Sequence, residues 1–201
     1  MIDAGEIVGL RVNALISDTT AALAQLALDK SIQKPSKDLI FDIGAGHCQV
    51  AVVEMRQGKI EVLASAADPY IGGVDFDNIL LDHFLKELKL RNKSAPDLRK
   101  NAKAMRQLQV QCEKAKVLLS TNATCKIGAD GKGLNFISFV TREKFHELTS
   151  VLLSGITDLF DDALQDAETD RSALNNIYIL GGSSKLPVVQ DLVKDLSLIH
   201  I

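Results

Sequence analysis

Residues 39–54 read LIFDIGAGHCQVAVVE. An apolar run ends on Asp42, two glycines follow at Gly44 and Gly46, and a second apolar run begins at once. LIFDI and QVAVVEM both have the β-branched and aromatic content of strands, and KIEVLASAA repeats it after Gln57-Gly58, a tight-turn pair. This predicts a β-meander. The acidic strand end and glycine turn suit either a plain hairpin or a phosphate site. Glycine has no Cβ, so its backbone can approach a ligand closely. A carboxylate at the strand end is placed to hold a metal-bound water.

Working outward, a second stretch shares the plan. In residues 176–189, NIYILGGSSKLPVV, a short strand runs into Gly181-Gly182 and then toward a helix, VVQDLVKDL. A helix N-terminus there could face an anion. The GxxxxGK[ST] spacing of a P-loop is absent. A third piece lies in VQCEKAKVLLS, where Glu113, Lys116 and Ser120 fall at i, i+3 and i+7 on one helix face. A carboxylate, an ammonium and a hydroxyl together suit a ribose and an adenine edge, and equally an ordinary solvated face.

The remaining chain supplies helices and one more strand pair. DAGEIVGLRVNALI reads as a helix end followed by a short apolar strand. SDTTAALAQLALDK reads as a helix capped by Ser17 or Asp18, and KSIQKPSKD as a loop. After the Gly72-Gly73 break, Phe76, Ile79, Leu80, Phe84 and Leu88 keep a helical period. Pro96-Asp97 predicts the start of a second helix, with its apolar stripe from Leu98 to Leu119. TCKIG and LNFISFV read as strands around ADGKG. Thr141-Arg142-Glu143 opens a helix that runs through or bends at Gly155 and ends near Asp170. The alternation predicts an α/β fold with a mixed sheet.

Composition limits the function classes. The 201 residues are 46% hydrophobic and 24% charged, with net charge −3, so no basic surface argues for nucleic acid or an anionic membrane. There is no secretory signal at Met1 and no apolar run near membrane-spanning length. Cys48, Cys112 and Cys125 form no CxxC pair, which predicts a reduced, intracellular setting. His47 beside Cys48 lacks further ligands at metal spacing.

Taken together and in order, DAGEIVGLRV, DTTAALA, LIFDIGAG, GGVDFDNILLDHF, CEKAKVLLS, TREKFHEL and IYILGGSSKLPVVQDLVKDL resemble the ATPase domain of the heat-shock protein 70 family, the DnaK-type chaperones. The resemblance covers nearly all of the chain. It implies an actin-like fold of RNase-H-like lobes with an α+β upper subdomain, of which this chain is a part. The implied division is 1–36 as the end of a first lobe, 37–70 and 138–201 as the second lobe, and 71–137 as the inserted upper subdomain.

By the resemblance, Asp42, Gly44 and Gly46 match a phosphate loop. Gly72 and Gly73 match the entry to the upper subdomain. Glu113, Lys116 and Ser120 match the nucleoside helix. Gly181, Gly182, Ser183 and Lys185 match the adenosine loop. ATP or ADP with magnesium is the implied cofactor. Other chaperones, J-domain proteins and exchange factors are the implied partners, in the cytoplasm or the endoplasmic reticulum.

The departures from the family pattern are specific. The family's first phosphate loop and catalytic lysine precede the matched region. A Glu-Pro pair is Asp18-Thr19 here. Glycine, threonine and aspartate of the phosphate loop are Ala45, His47 and Gln49, and a stacking arginine is Val117. Lys185 stands where arginine is usual. Gln49 removes a hard anionic oxygen from the magnesium-water set, and Val117 removes a planar cation from the adenine face. Asp-Thr-Thr and Gln49 are like the family's large exchange-factor subgroup, and GGSSKLP with VKDL like its ribosome-associated branch. Two functions follow as expectations: a piece of a chaperone's ATP-binding domain, or a degenerate, non-hydrolysing module that docks on another chaperone. For this chain as given, measurable ATP hydrolysis is not expected, and the SLIHI tail departs from the pattern.

Overall fold

A computed structural model describes residues 1–29, 35–56, 59–93, 97–131 and 134–197. The expected loop around 30–34, the Gln57-Gly58 turn, Pro96, the Lys132-Gly133 end of the ADGKG turn and the tail after Ser197 lie outside the described residues.

The meander forms as its composition predicts. Strands β1 (Ser36–Ile43), β2 (Cys48–Arg56) and β3 (Lys59–Asp68) are antiparallel neighbours. Strand β6 (Asn176–Leu180) joins the free side of β1 in parallel, giving the order β3-β2-β1-β6. A register shift at Val52/Val53 accommodates an extra residue of β3. Strands β4 (Thr124–Gly131) and β5 (Leu134–Thr141) make a separate two-stranded antiparallel sheet.

Period-2 geometry explains why β1 is apolar throughout. Leu39, Phe41 and Ile43 face one side and Ile40 the other, and each side is covered. On the first side Phe41 meets Phe160 of α5 (Arg142–Asp166) at 5.2 Å between ring centroids. That core continues into α3 (Gly73–Arg91), α4 (Ala102–Leu119), the β4–β5 pair and α6 (Pro187–Leu196). On the second side Ile40, Ala51, Val53 and Met55 pack with Leu23 of α2 (Asp18–Asp29). Asp42 follows Ile40 by two residues and so belongs to the α2 side.

Several expectations are corrected. The apolar segment after α1 (Ile2–Ile7) is not a strand: residues 10–17 have no regular structure, and Leu10, Leu15 and Ile16 are exposed. A strand needs a neighbour to satisfy its ladder, and local pattern does not provide one. The second helix starts at Ala102, not at Pro96-Asp97. Asp97 instead caps a short 3-10 turn (Leu98–Lys100) by accepting from the Arg99 N–H, and Asn101 caps α4 by accepting from the Ala104 N–H at 3.1 Å. Helix α5 runs unbroken through Gly155 and ends at Asp166.

Thr141 was legible as a helix start, and its Oγ1 accepts from the Lys144 N–H at 3.1 Å. Thr141→Ala is expected to cost about 1 kcal/mol, read as a lowered urea midpoint at unchanged slope.

Candidate functional site

The glycine turns meet at one place. Register pairs Asp42 with Leu180, so β1 and β6 end side by side and deliver their turns to the same sheet edge. Gly181 has φ +84°, and a Cβ on it would lie 2.7 Å from Asp42 Oδ1. Asp42 therefore faces the Gly181-Gly182 turn, as expected of a shared site rather than an isolated hairpin.

The turn after β1 closes through the Gly44 N–H donating to the His47 carbonyl at 3.1 Å. Its carbonyls are then taken by neighbours. Ser183 Oγ donates to Gly44 O at 2.8 Å, the Gly73 N–H to Gly44 O at 3.0 Å, and the Val74 N–H to Ala45 O at 2.8 Å. Gly72 packs so closely that a Cβ would stand 2.6 Å from Ala45 O, and one on Gly73 would stand 2.6 Å from Ser183 Oγ. The segments around Gly44, Gly73 and Ser183 are thus joined through the carbonyls of the first, and side chains at 72 and 73 would separate them.

Gly46 and Gly182 differ: no atom lies within 4 Å of a Cβ built on either. These two exposed glycines border open space beside Asp42, which is half-buried. The two turns thus form a cradle edged by glycine backbone. Lys185 is exposed, at the end of a 3-10 turn (Gly182–Lys185). The helix expected over VVQDLVKDL forms as α6 from Pro187, after a turn in which the Leu186 N–H returns to the Ser183 carbonyl at 3.1 Å. Backbone turns, not a helix end, face the space.

The nucleoside helix face is divided. Glu113 is exposed, and Ser120 is a half-buried residue just past the end of α4. Lys116 turns inward. Its ammonium donates to Gly73 O at 2.7 Å and to Asp77 Oδ2 at 2.9 Å, with only 11% of its side chain exposed. It ties α4 to the first turn of α3. Asp77 was not singled out from the sequence. Burial holds its carboxyl above the usual carboxylate range, Lys116 pulls the other way, and Glu113 and Asp75 push it up further. Its Oδ1 is buried without a hydrogen-bond partner among the described residues. Val117, where the resemblance expects a stacking cation, is 60% exposed.

A second group missed in the sequence lies at the mouth of the cradle. Asp18 opens α2, the helix covering Asp42's side of the sheet, and its Oδ2 is 3.7 Å from His47 Nε2. One ligand-capable atom from each of Asp18, Asp42 and His47 falls within 4.8 Å of the other two. The available signal was the strand period, which sends Asp42 to the α2 side with Ile40. Cys48, next in sequence, is buried in β2, and burial pushes its thiol to about 12, with Asp42 and Asp68 adding to the effect. Among the described residues no helix is long and apolar enough to cross a membrane.

The family model for Hsp70 protein matches residues 1–198. A heat shock 70 kDa protein of Emericella nidulans is 40% identical over 195 residues, covering 96% of this chain and 30% of the relative. Heat shock cognate 70 kDa protein 3 of Dictyostelium discoideum is 37% identical over 198 residues, covering 96% and 31%. Heat shock 70 kDa protein II of Paracentrotus lividus is 35% identical over 192 residues, covering 94% and 51%.

Proposed function

The chain belongs to the heat-shock protein 70 family, and from that premise we propose that it forms part of the family's nucleotide-binding domain, where ATP binding is coupled to protein folding in the whole chaperone. The chain spans about 30% of the length of the first relatives it matches, so the coupling is a property of the larger assembly. The observation that carries this reading is the meeting of three glycine turns around Asp42 and open space. The family match does not favour a module that acts only by docking on another chaperone.

The residues present fit a nucleotide phosphate. Gly44 to Gly46 and Gly181 to Ser183 would hold it through backbone groups, and Asp42 would hold a magnesium-bound water. Glu113, Ser120 and Lys185 would face the nucleoside, while Lys116, expected there as well, instead turns inward and fixes Gly73 in place. Bound magnesium would supply charge neutralisation to the phosphates. In the same reading residues 1–36 end a first lobe, 37–70 with 138–201 make the second, and 71–137 make an inserted upper subdomain, in accord with the separate β4–β5 sheet. Co-chaperones of the J-domain and exchange-factor kinds are the proposed partners, in the cytoplasm.

Calorimetry with ADP and magnesium on the 201-residue chain tests the site. Weak binding is expected, because Val117 offers no stacking cation and Gln49 no carboxylate. Val117→Arg is expected to tighten binding by about 2- to 30-fold, the equivalent of roughly 0.5–2 kcal/mol of cation–π contact. Asp42→Ala in that background should remove the gain. ATP turnover should stay at the buffer rate. If Val117→Arg changes nothing, α4 does not face the nucleoside. If the unaltered chain binds at low micromolar concentration and Glu113→Ala abolishes it, the weak-affinity reading falls.

A further inference from the structure

We propose that Asp18, Asp42 and His47 form a direct binding site for a borderline divalent cation of the zinc class, independent of nucleotide. Their ligand-capable atoms lie within 4.8 Å of one another, and His47 Nε2 and Asp18 Oδ2 stand 3.7 Å apart. Around an ion with bonds near ~2.1 Å, tetrahedral ligand atoms are about 3.4 Å apart. The Asp18–His47 pair already stands near that separation, and side-chain rotation of the exposed Asp18 would draw the wider contacts in.

Each ligand is delivered by a different device. Asp42 ends β1, Asp18 begins α2, and His47 closes the turn whose Gly44–His47 hydrogen bond is 3.1 Å. The imidazole ring lies over Gly44, with Cε1 3.9 Å from where a Cβ would be. The backbone thus fixes the Cα from which the imidazole reaches Asp18. The three are half-buried or exposed, so an ion can enter. One nitrogen and two carboxylate oxygens leave a coordination position open.

The donor set chooses the ion. Magnesium takes oxygen ligands in octahedral geometry and keeps its waters, whereas an imidazole nitrogen favours zinc, cobalt or nickel. Cys48 does not complete a thiolate site, because it is buried in the core with Phe41 and Ile43, on the side of the sheet away from Asp42. With a single imidazole and two carboxylates, the site is an oxygen-rich, three-ligand centre that leaves room for water or an external anion.

Zinc titration of the purified chain by calorimetry, without nucleotide, tests the proposal. One saturable site per chain is expected. His47→Ala and Asp18→Asn should each weaken it by at least about tenfold. His146→Ala, on the exposed side of α5, should leave it unchanged. Cobalt(II) should develop the strong visible bands of a four-coordinate ion, and these should vanish in His47→Ala. His47 is partly exposed, so that variant is expected to fold, with circular dichroism as the check. No saturable binding, equal binding by His47→Ala, or displacement of zinc by an equal concentration of magnesium would each overturn the proposal. Because nucleotide is absent throughout, such a failure leaves the ADP calorimetry above unaffected.

Discussion

Gly181→Ala should be among the most damaging single substitutions in this chain, costing about 4 kcal/mol or more. Two independent terms add. Gly181 has φ +84° and ψ 156°, a region nearly closed to residues with a Cβ, at about 1–3 kcal/mol. The new Cβ would also stand 2.2 Å from Ile43 O, 2.5 Å from Ile43 C and 2.7 Å from Asp42 Oδ1. The first two are backbone atoms at the end of β1, paired on one side to β2 and on the other to β6, so they cannot step aside. Relief would require parting β1 from β6. Domains of this size have about 5–15 kcal/mol in all, so the loss is a large share. Urea unfolding followed by circular dichroism measures it. Gly182→Ala is the comparison, since nothing lies within 4 Å of its Cβ, and it should be neutral within about 1 kcal/mol. Equal effects at the two glycines would show that the close approach of β1 and β6 is misjudged.

Lys116→Met should cost about 2–4 kcal/mol at neutral pH, although methionine matches the lysine stem in length. The loss is electrostatic. Lys116 and Asp77 are 2.9 Å apart, with 11% and 17% of their side chains exposed. Removing the ammonium leaves a largely buried carboxylate without its cation and near Glu113 and Asp75, and removes a donor from Gly73 O. The pH dependence identifies the cause. Burial already raises the Asp77 carboxyl, and Lys116 is what pulls it down. Without Lys116 it rises further. A raised folded-state acid favours folding below its unfolded value, near ~3.9, and loses that contribution as pH climbs through the folded value. The deficit of Lys116→Met should therefore shrink as pH falls toward about 4 and grow above it. Adding Asp77→Asn should recover part of the loss at neutral pH. A deficit flat from pH 4 to 7, or no recovery in the double variant, would mean that packing rather than charge makes the contact matter.

Local pattern carried most of the architecture. LIFDI and QVAVVEM are strands because side chains on both faces are buried, NIYIL is partly buried on both faces, and the parallel return of β6 follows from a long helical crossover. Thr141 capped its helix as read. The strand expected after α1 failed for the opposite reason. LRVNALI has strand composition but no neighbour, and Leu15 and Ile16 remain in solvent. The start of α4 moved to Asn101 because Asp97 and Asn101 both can cap, and only packing of Leu98 and Leu108 decides between them.

By itself the sequence determined the element order, the glycines that let three turns touch, the acidic strand end at Asp42, and the family. Tertiary structure alone decided what the charged groups do. Lys116 and Glu113 are three residues apart on one helix, yet one is buried against Asp77 and the other faces water, because α3 covers only part of that face. Asp18 and His47 are 29 residues apart and meet only because α2 lies over the side of β1 that carries Asp42. Periodicity tells which side of an element a residue occupies. It does not tell which element will cover that side, and a pairwise electrostatic contact depends on that distance.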